Sequence, residues 1–209
     1  MKHYLFLDFD GVINTHRSLF KKLAMHYNIP CSNADWDKRF WNSTDGTNPE
    51  IMKQIDDAID SGEYSFPDTS GYKFPFDYDC IEVCNKIIEN NNAEIIVISS
   101  WRTGRSLEDL QEICDEHGLK GKVIGRTGHQ ETRAEEIHEW ITLYQKKYER
   151  KIESICILDD EHGFDIDYMF GDYTVKDITE LRNGLRNIHI NKSKVIFNKP
   201  FDINKIVKE

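Results

Sequence analysis

The chain has 209 residues, enough for one domain, or one domain with a smaller appendage, and for a sizeable buried core. It is 39% hydrophobic and 31% charged, which excludes a disordered or membrane-spanning composition. With 37 acids against 27 bases the net charge is −10, which argues against a broad polyanion-binding face but not against a local basic pocket. No apolar run nears the roughly 18 residues of a spanning helix. The N-terminus lacks a signal-peptide apolar region, so a cytoplasmic location without membrane contact is expected. Five cysteines, at 31, 80, 84, 114 and 156, include no CxxC pair. They read as reduced, mostly buried thiols, and Cys80 with Cys84 lack the partner ligands of a metal site.

In chain order, the first element is an apolar strand-like run from His3 to Asp8. Residues 14–80 then break the rhythm, because 67 residues are too many for one loop between a strand and the next helix. Within them Leu19, Leu23 and Tyr27 mark one helix. Asn48-Pro49-Glu50 opens another, with Ile51, Ile55 and Ile59 as its apolar side. We read 14–80 as a small, mainly helical insertion, and 1–13 with 81–209 as the core. The insertion holds 11 of the 24 aromatics, among them Trp36, Phe40, Trp41, Tyr72 and Phe74. These serve either as its own core or as a wall against a base or sugar ring, which makes Trp36 and Trp41 candidate substrate contacts.

Beyond the insertion, Ile81, Cys84, Ile87 and Ile88 form a helical stripe, and Glu94 to Ser99 a second strand. Leu107, Leu110, Ile113 and Cys114 make the next helix, and Lys122 to Gly125 the third strand. Thr132-Arg133-Ala134-Glu135 is a capping box that starts a helix with Ile137, Trp140, Ile141 and Tyr144 on one face. Ser154 to Asp159 is the fourth strand, and Tyr173-Thr174-Val175 a weaker fifth. Continuous apolar strands alternating with helices predict an α/β protein: a parallel sheet with helices on both faces.

Chemistry gathers where these strands end, at the edge where ligands of parallel sheets sit. The first strand runs into Asp8-Phe9-Asp10-Gly11, two carboxylates two residues apart with a glycine for the turn. One Asp could act as nucleophile and the other as general acid and base; the plainer reading is a capped turn. The second strand ends in Ser99-Ser100-Trp101-Arg102, where a hydroxyl, successive amides and a guanidinium suit a phosphate, or where Ser simply caps a helix. Arg133 sits in the first turn of its helix, against the dipole, which an anion at the sheet edge would explain. The fourth strand ends in Asp159-Asp160-Glu161, acids that would repel one another without a cation such as Mg²⁺. Asp165 and Asp167 read as solvated loop residues. Four features on one edge are together the parts of phosphoryl transfer through an aspartyl-phosphate.

With these residues the chain resembles the haloacid dehalogenase (HAD) superfamily of phosphohydrolases. The Asp8-x-Asp10-Gly11-Val12 element, Ser99, Arg133 and the Asp159-Asp160 pair look like its four motifs in order. The likeness is greater to one branch, the HAD domains associated with predicted RNA-repair proteins. It rests on Ser99 to Arg102, on Gly125 and Thr127, on Arg133-x-x-Glu136-Ile137-x-x-Trp140, on Leu158 to Asp160, and on Gly184-Leu185. The resemblance implies a Rossmann-like HAD core with residues 14–80 in the place of a cap. It implies Asp8 as nucleophile and Asp10 as acid and base. Ser99, Ser100 and Arg133 would hold phosphoryl oxygens, and Asp8, the Asp10 carbonyl, Asp159 and Asp160 would hold Mg²⁺. Arg102 either pairs with an acid or reaches substrate.

The function expected is a Mg²⁺-dependent phosphatase acting on a nucleotide or a phosphorylated nucleic-acid end. Alternatives are a phosphatase of another small phosphorylated metabolite and an inactive HAD scaffold used for binding. A receiver-type signalling domain fits worse, since there the acidic pair precedes the phosphorylated Asp.

Overall fold

The computed structural model describes residues 2–15, 53, 57, 76–160, 166, 169–175 and 184–206. By its contacts the chain divides into two compact units, Met1–Thr15 with Phe76–Glu209, and His16–Pro75. In the second unit Lys53 and Asp57 are described; both are helical and exposed.

The first unit is built on four parallel strands: β1 (His3–Leu7), β2 (Ala93–Val97), β3 (Val123–Arg126) and β4 (Ser154–Leu158), in the order β3-β2-β1-β4. β1 is central, with Leu5 opposite Ile95 on one side and Cys156 on the other. Helices cover both faces, which is why Leu5, Phe6, Leu7, Ile95, Ile96 and Val97 are all fully buried and the strands carry no polar alternation. The fifth candidate, Tyr173 to Val175, joins β4 through two bonds only. Ile157 N donates to Tyr173 O at 2.9 Å and Val175 N to Ile157 O at 3.2 Å, an isolated bridge rather than a strand.

Helix α1 (Tyr78–Asn91) is capped by the Asp77 side chain, which accepts from Asp79 N at 3.0 Å, and buries Ile81, Cys84, Ile87 and Ile88. Helix α2 (Leu107–Glu116) starts from a Ser106/Asp109 capping box and buries Leu110 and Cys114. Helix α3 (Arg133–Tyr148) starts from the Thr132/Glu135 box. Its Trp140 ring meets Phe6 edge-on at 5.4 Å, and Tyr144 meets Tyr4 at 5.4 Å. A Cβ on Gly125 would lie 2.7 Å from the Trp140 indole nitrogen, so a glycine in β3 lets α3 approach this closely.

Helix α4 (Asn187–Phe197) has no counterpart among the sequence-predicted elements. Its buried positions, His189, Ser193, Ile196 and Phe197, have helical spacing, but two of the four are polar, so no apolar stripe announces it. It packs on α1, and Phe197 meets His3 on the sheet face opposite α3. Cys80, Cys84, Cys114 and Cys156 are buried thiols, and burial pushes the Cys114 and Cys156 thiols up to about 12. Cys31 lies outside the described residues. Among the described residues, no helix is long and apolar enough to cross a membrane.

Candidate active site

Parallel register decides which residues meet. Leu7 lies opposite both Val97 and Leu158, so β1, β2 and β4 end level. Asp8 N donates to Leu158 O at 2.9 Å and Ile98 N to Leu7 O at 3.0 Å, which extends the pairing one step to the residues that carry chemistry. Asp8, Ser99 and Asp159 thereby converge, all buried.

After Asp8 the chain turns tightly. The Phe9 carbonyl accepts from the amides of Val12, Ile13 and Asn14. Gly11 has φ of 74°, and a Cβ there would lie 1.8 Å from an Asp160 carboxylate oxygen. A glycine is therefore required twice over, for the left-handed backbone and for the close approach of Asp160. The turn presents Asp10 half-buried. Its Oδ1 accepts from Asn14 Nδ2 at 2.9 Å, and the Trp101 indole N–H reaches Oδ1 at 3.1 Å and Oδ2 at 3.0 Å. Burial raises the Asp10 pKa, while bonds from Asn14, Trp101 and Ser100 pull the other way.

Ser99 takes the capping role and one that the sequence does not announce. It caps a three-residue 3-10 turn, Ser100–Arg102, accepting from Trp101 N at 3.4 Å, and its hydroxyl also bonds Asp8. Ser100 is exposed and bonds Asp10. Arg133 is the first residue of α3. Its Nε lies 3.0 Å from Asp159 Oδ2, and its Nη1 bonds Glu136 Oε2 at 3.1 Å and the Ile98 carbonyl. Two carboxylates thus stand where the cation unfavourable to the dipole required an anion.

Arg102 differs from the alternative of a substrate contact. It is 2% exposed, and its guanidinium faces inward. Nε donates to Thr127 O at 3.1 Å, and Nη1 to Ile98 O at 2.6 Å and Ser99 O at 2.7 Å. Nη2 donates to Gly128 O at 3.0 Å and Glu136 Oε1 at 2.5 Å. Carbonyls at the ends of β2 and β3 leave the sheet without strand partners, and one planar group with five donors satisfies several of them. Glu136 completes this network. It is buried, pairs with both Arg102 and Arg133, and accepts from Thr127 Oγ1 at 3.5 Å. Neither Glu136 nor Trp101 is singled out by the motifs as a site residue. The three-residue spacing from Arg133 to Glu136 on a helix is the one local signal of their pairing. Trp36 and Trp41 lie outside the described residues, as do Glu161, Asp165 and Asp167.

Asp8, Asp159 and Asp160 each offer an oxygen within 4.8 Å of the others. Burial, then the charge of Asp159, hold the Asp8 pKa well above the usual carboxylate range, against the pull of Arg133 and Ser99. Burial disfavours the Arg133 charge, yet Asp159, Asp8 and Glu136 raise its pKa on balance. Among the described residues the guanidiniums of Arg102 and Arg133 and the carboxylates of Glu136, Asp8, Asp159 and Asp160 form joined clusters. An all-oxygen donor set with few protein ligands fits Mg²⁺.

Neither the curated proteins nor the solved structures include a match to the chain. A family model described as "HAD domain in Swiss Army Knife RNA repair proteins" matches residues 4–189, and the chain belongs to that family.

Proposed function

We propose that this chain is a Mg²⁺-dependent phosphatase that removes a phosphate from a nucleotide or a nucleic-acid end through an aspartyl-phosphate on Asp8. The observation that carries the reading is the Asp8, Asp159 and Asp160 trio within 4.8 Å, beside Arg133 and Ser99. Family membership supports phosphatase-type hydrolysis, and the family's tie to RNA repair supports a nucleic-acid end as substrate. Asp8, the Asp10 carbonyl, Asp159 and Asp160 would hold the ion, which when bound offsets negative charge at the transferring phosphate.

In the first step an Asp8 oxygen bonds phosphorus as the ester P–O bond breaks. The leaving oxygen takes that electron pair and a proton from the Asp10 carboxyl. Ser99, Ser100 and Arg133 hold the phosphoryl oxygens, with Arg133 kept in line by Asp159 and Glu136. In the second step Asp10, now ionised, takes a proton from water. Water oxygen bonds phosphorus, and the Asp8–phosphorus bond breaks to free phosphate and carboxylate. The raised pKa of Asp10 suits a group that must hold a proton and then accept one.

A small phosphorylated metabolite is the second reading, favoured by the net charge of −10, since affinity for long polynucleotides rests on neutralised phosphates. The deciding measurement is phosphate release from nucleotides, sugar phosphates and 5′- or 3′-phosphorylated oligonucleotides, with and without Mg²⁺, with Asp8→Asn as control. Release that needs both Asp8 and the metal is expected. Release from oligonucleotides whose kcat/KM falls steeply with salt identifies a nucleic-acid end. Release from none of them by folded protein overturns the proposal.

A further inference from the structure

We propose that Trp101 is a positioning residue: its indole N–H holds the Asp10 carboxyl in the attitude from which it protonates the leaving oxygen. The inference rests on the phosphatase reading above and adds a residue to it. Trp101 is 2% exposed, so its N–H has left water and needs an acceptor inside the protein. That acceptor is the Asp10 carboxyl, met almost symmetrically at 3.1 Å and 3.0 Å by a single N–H. A donor shared by both oxygens lies along the axis of the carboxyl group and restrains its swing. Asn14 Nδ2, at 2.9 Å on Oδ1, adds a second restraint that opposes rotation about that axis.

The indole is itself immobilised. Phe76 packs against it at 5.4 Å and Phe9 at 5.8 Å, and Phe76 in turn lies 4.3 Å from the His117 ring. The Trp101 amide is tied to the Ser99 hydroxyl at 3.4 Å. One short turn therefore sets both the serine that bonds Asp8 and the indole that bonds Asp10. An apolar core would accept phenylalanine in place of this tryptophan. The indole nitrogen is what the packing alone does not explain.

A proton donor matters in proportion to how badly the leaving oxygen needs a proton. An alkoxide, such as a ribose oxygen, leaves poorly without one; p-nitrophenolate leaves well by itself. Trp101→Phe keeps an apolar ring and removes the N–H. The test measures kcat/KM, which reports phosphoryl transfer to Asp8, for a nucleoside monophosphate and for p-nitrophenyl phosphate in wild type and Trp101→Phe. The loss with the nucleotide is expected to exceed the loss with the aryl ester by at least about tenfold, since positioned proton transfer contributes roughly a hundredfold or more. Equal losses, whatever their size, overturn the proposal, because a merely structural defect lowers both alike. Where wild type turns over a phosphorylated oligonucleotide but not the mononucleotide, the oligonucleotide takes its place in the comparison; wild type that releases phosphate from none of these substrates defeats the phosphatase reading instead. If Trp101→Phe does not fold, the indole N–H proton resonance of Trp101 is followed in wild type and Asp10→Ala. A resonance that moves upfield in Asp10→Ala supports the bond, and one that stays in place overturns it.

Discussion

Two clusters of buried charge meet at Arg133, and they are built differently. In one, Arg102, Glu136 and Arg133 answer each other, and strand-end carbonyls take further guanidinium donors. In the other, Asp8, Asp159 and Asp160 share a small space, with Arg133 beside Asp159. The first pairs opposite charges and ties the ends of β2 and β3 to α3. The second gathers like charges, and burial with the charge of Asp159 raises the Asp8 pKa. Like charges crowded together at a strand-end edge are what mark the candidate site.

Asp8→Asn carries the largest expected effect. Turnover is expected to fall at least about ten-thousand-fold, as for loss of a covalent nucleophile, in a phosphate-release assay. The same variant is expected to melt higher than wild type without metal, because it removes a buried charge facing Asp159. A lower melting temperature would mean that the folded protein stabilises the Asp8 charge.

Glu136→Ala should act in the opposite sense. It leaves Arg102 buried without its carboxylate, and unfolding in denaturant should show a loss of about 3–5 kcal/mol. Unchanged stability would mean that the carbonyls suffice for Arg102.

A smaller effect follows from pH. Asp8 and Asp10 have raised pKa values when folded. From the ordinary aspartate range up to those values the folded state binds more protons than the unfolded chain. These groups therefore make metal-free protein less stable as pH rises through that window. Mg²⁺ binds ionised carboxylates, so its stabilisation should grow with pH over the same range. Melting curves with chelator and with Mg²⁺ across pH, with Asp8→Asn beside wild type, test the sign. A Mg²⁺ stabilisation that shrinks as pH rises would contradict it.

The smallest effect separates two serine caps. Ser106→Ala should cost about 1 kcal/mol of stability and leave kcat/KM alone. Ser99→Ala should lower kcat/KM more than it lowers stability, because only Ser99 also bonds Asp8.

Local pattern along the chain specified the α/β class, the strands and helices around the site, the strand-end positions of Asp8, Ser99 and Asp159, and the place of Arg133 in the first turn of α3. Period, capping boxes and strand-end placement are local properties, and a parallel sheet sends all its strand ends to one edge. Helix α4 escaped because half of its buried face is polar. Tertiary structure alone decided the partners. That Arg102 turns inward, that Glu136 holds two arginines, and that Trp101 reaches Asp10 across 91 positions depend on register and packing between elements far apart in the chain. Hydrogen bonds and ion pairs are set by distances of a few ångströms, and no spacing along a sequence fixes a distance between elements that meet only on folding.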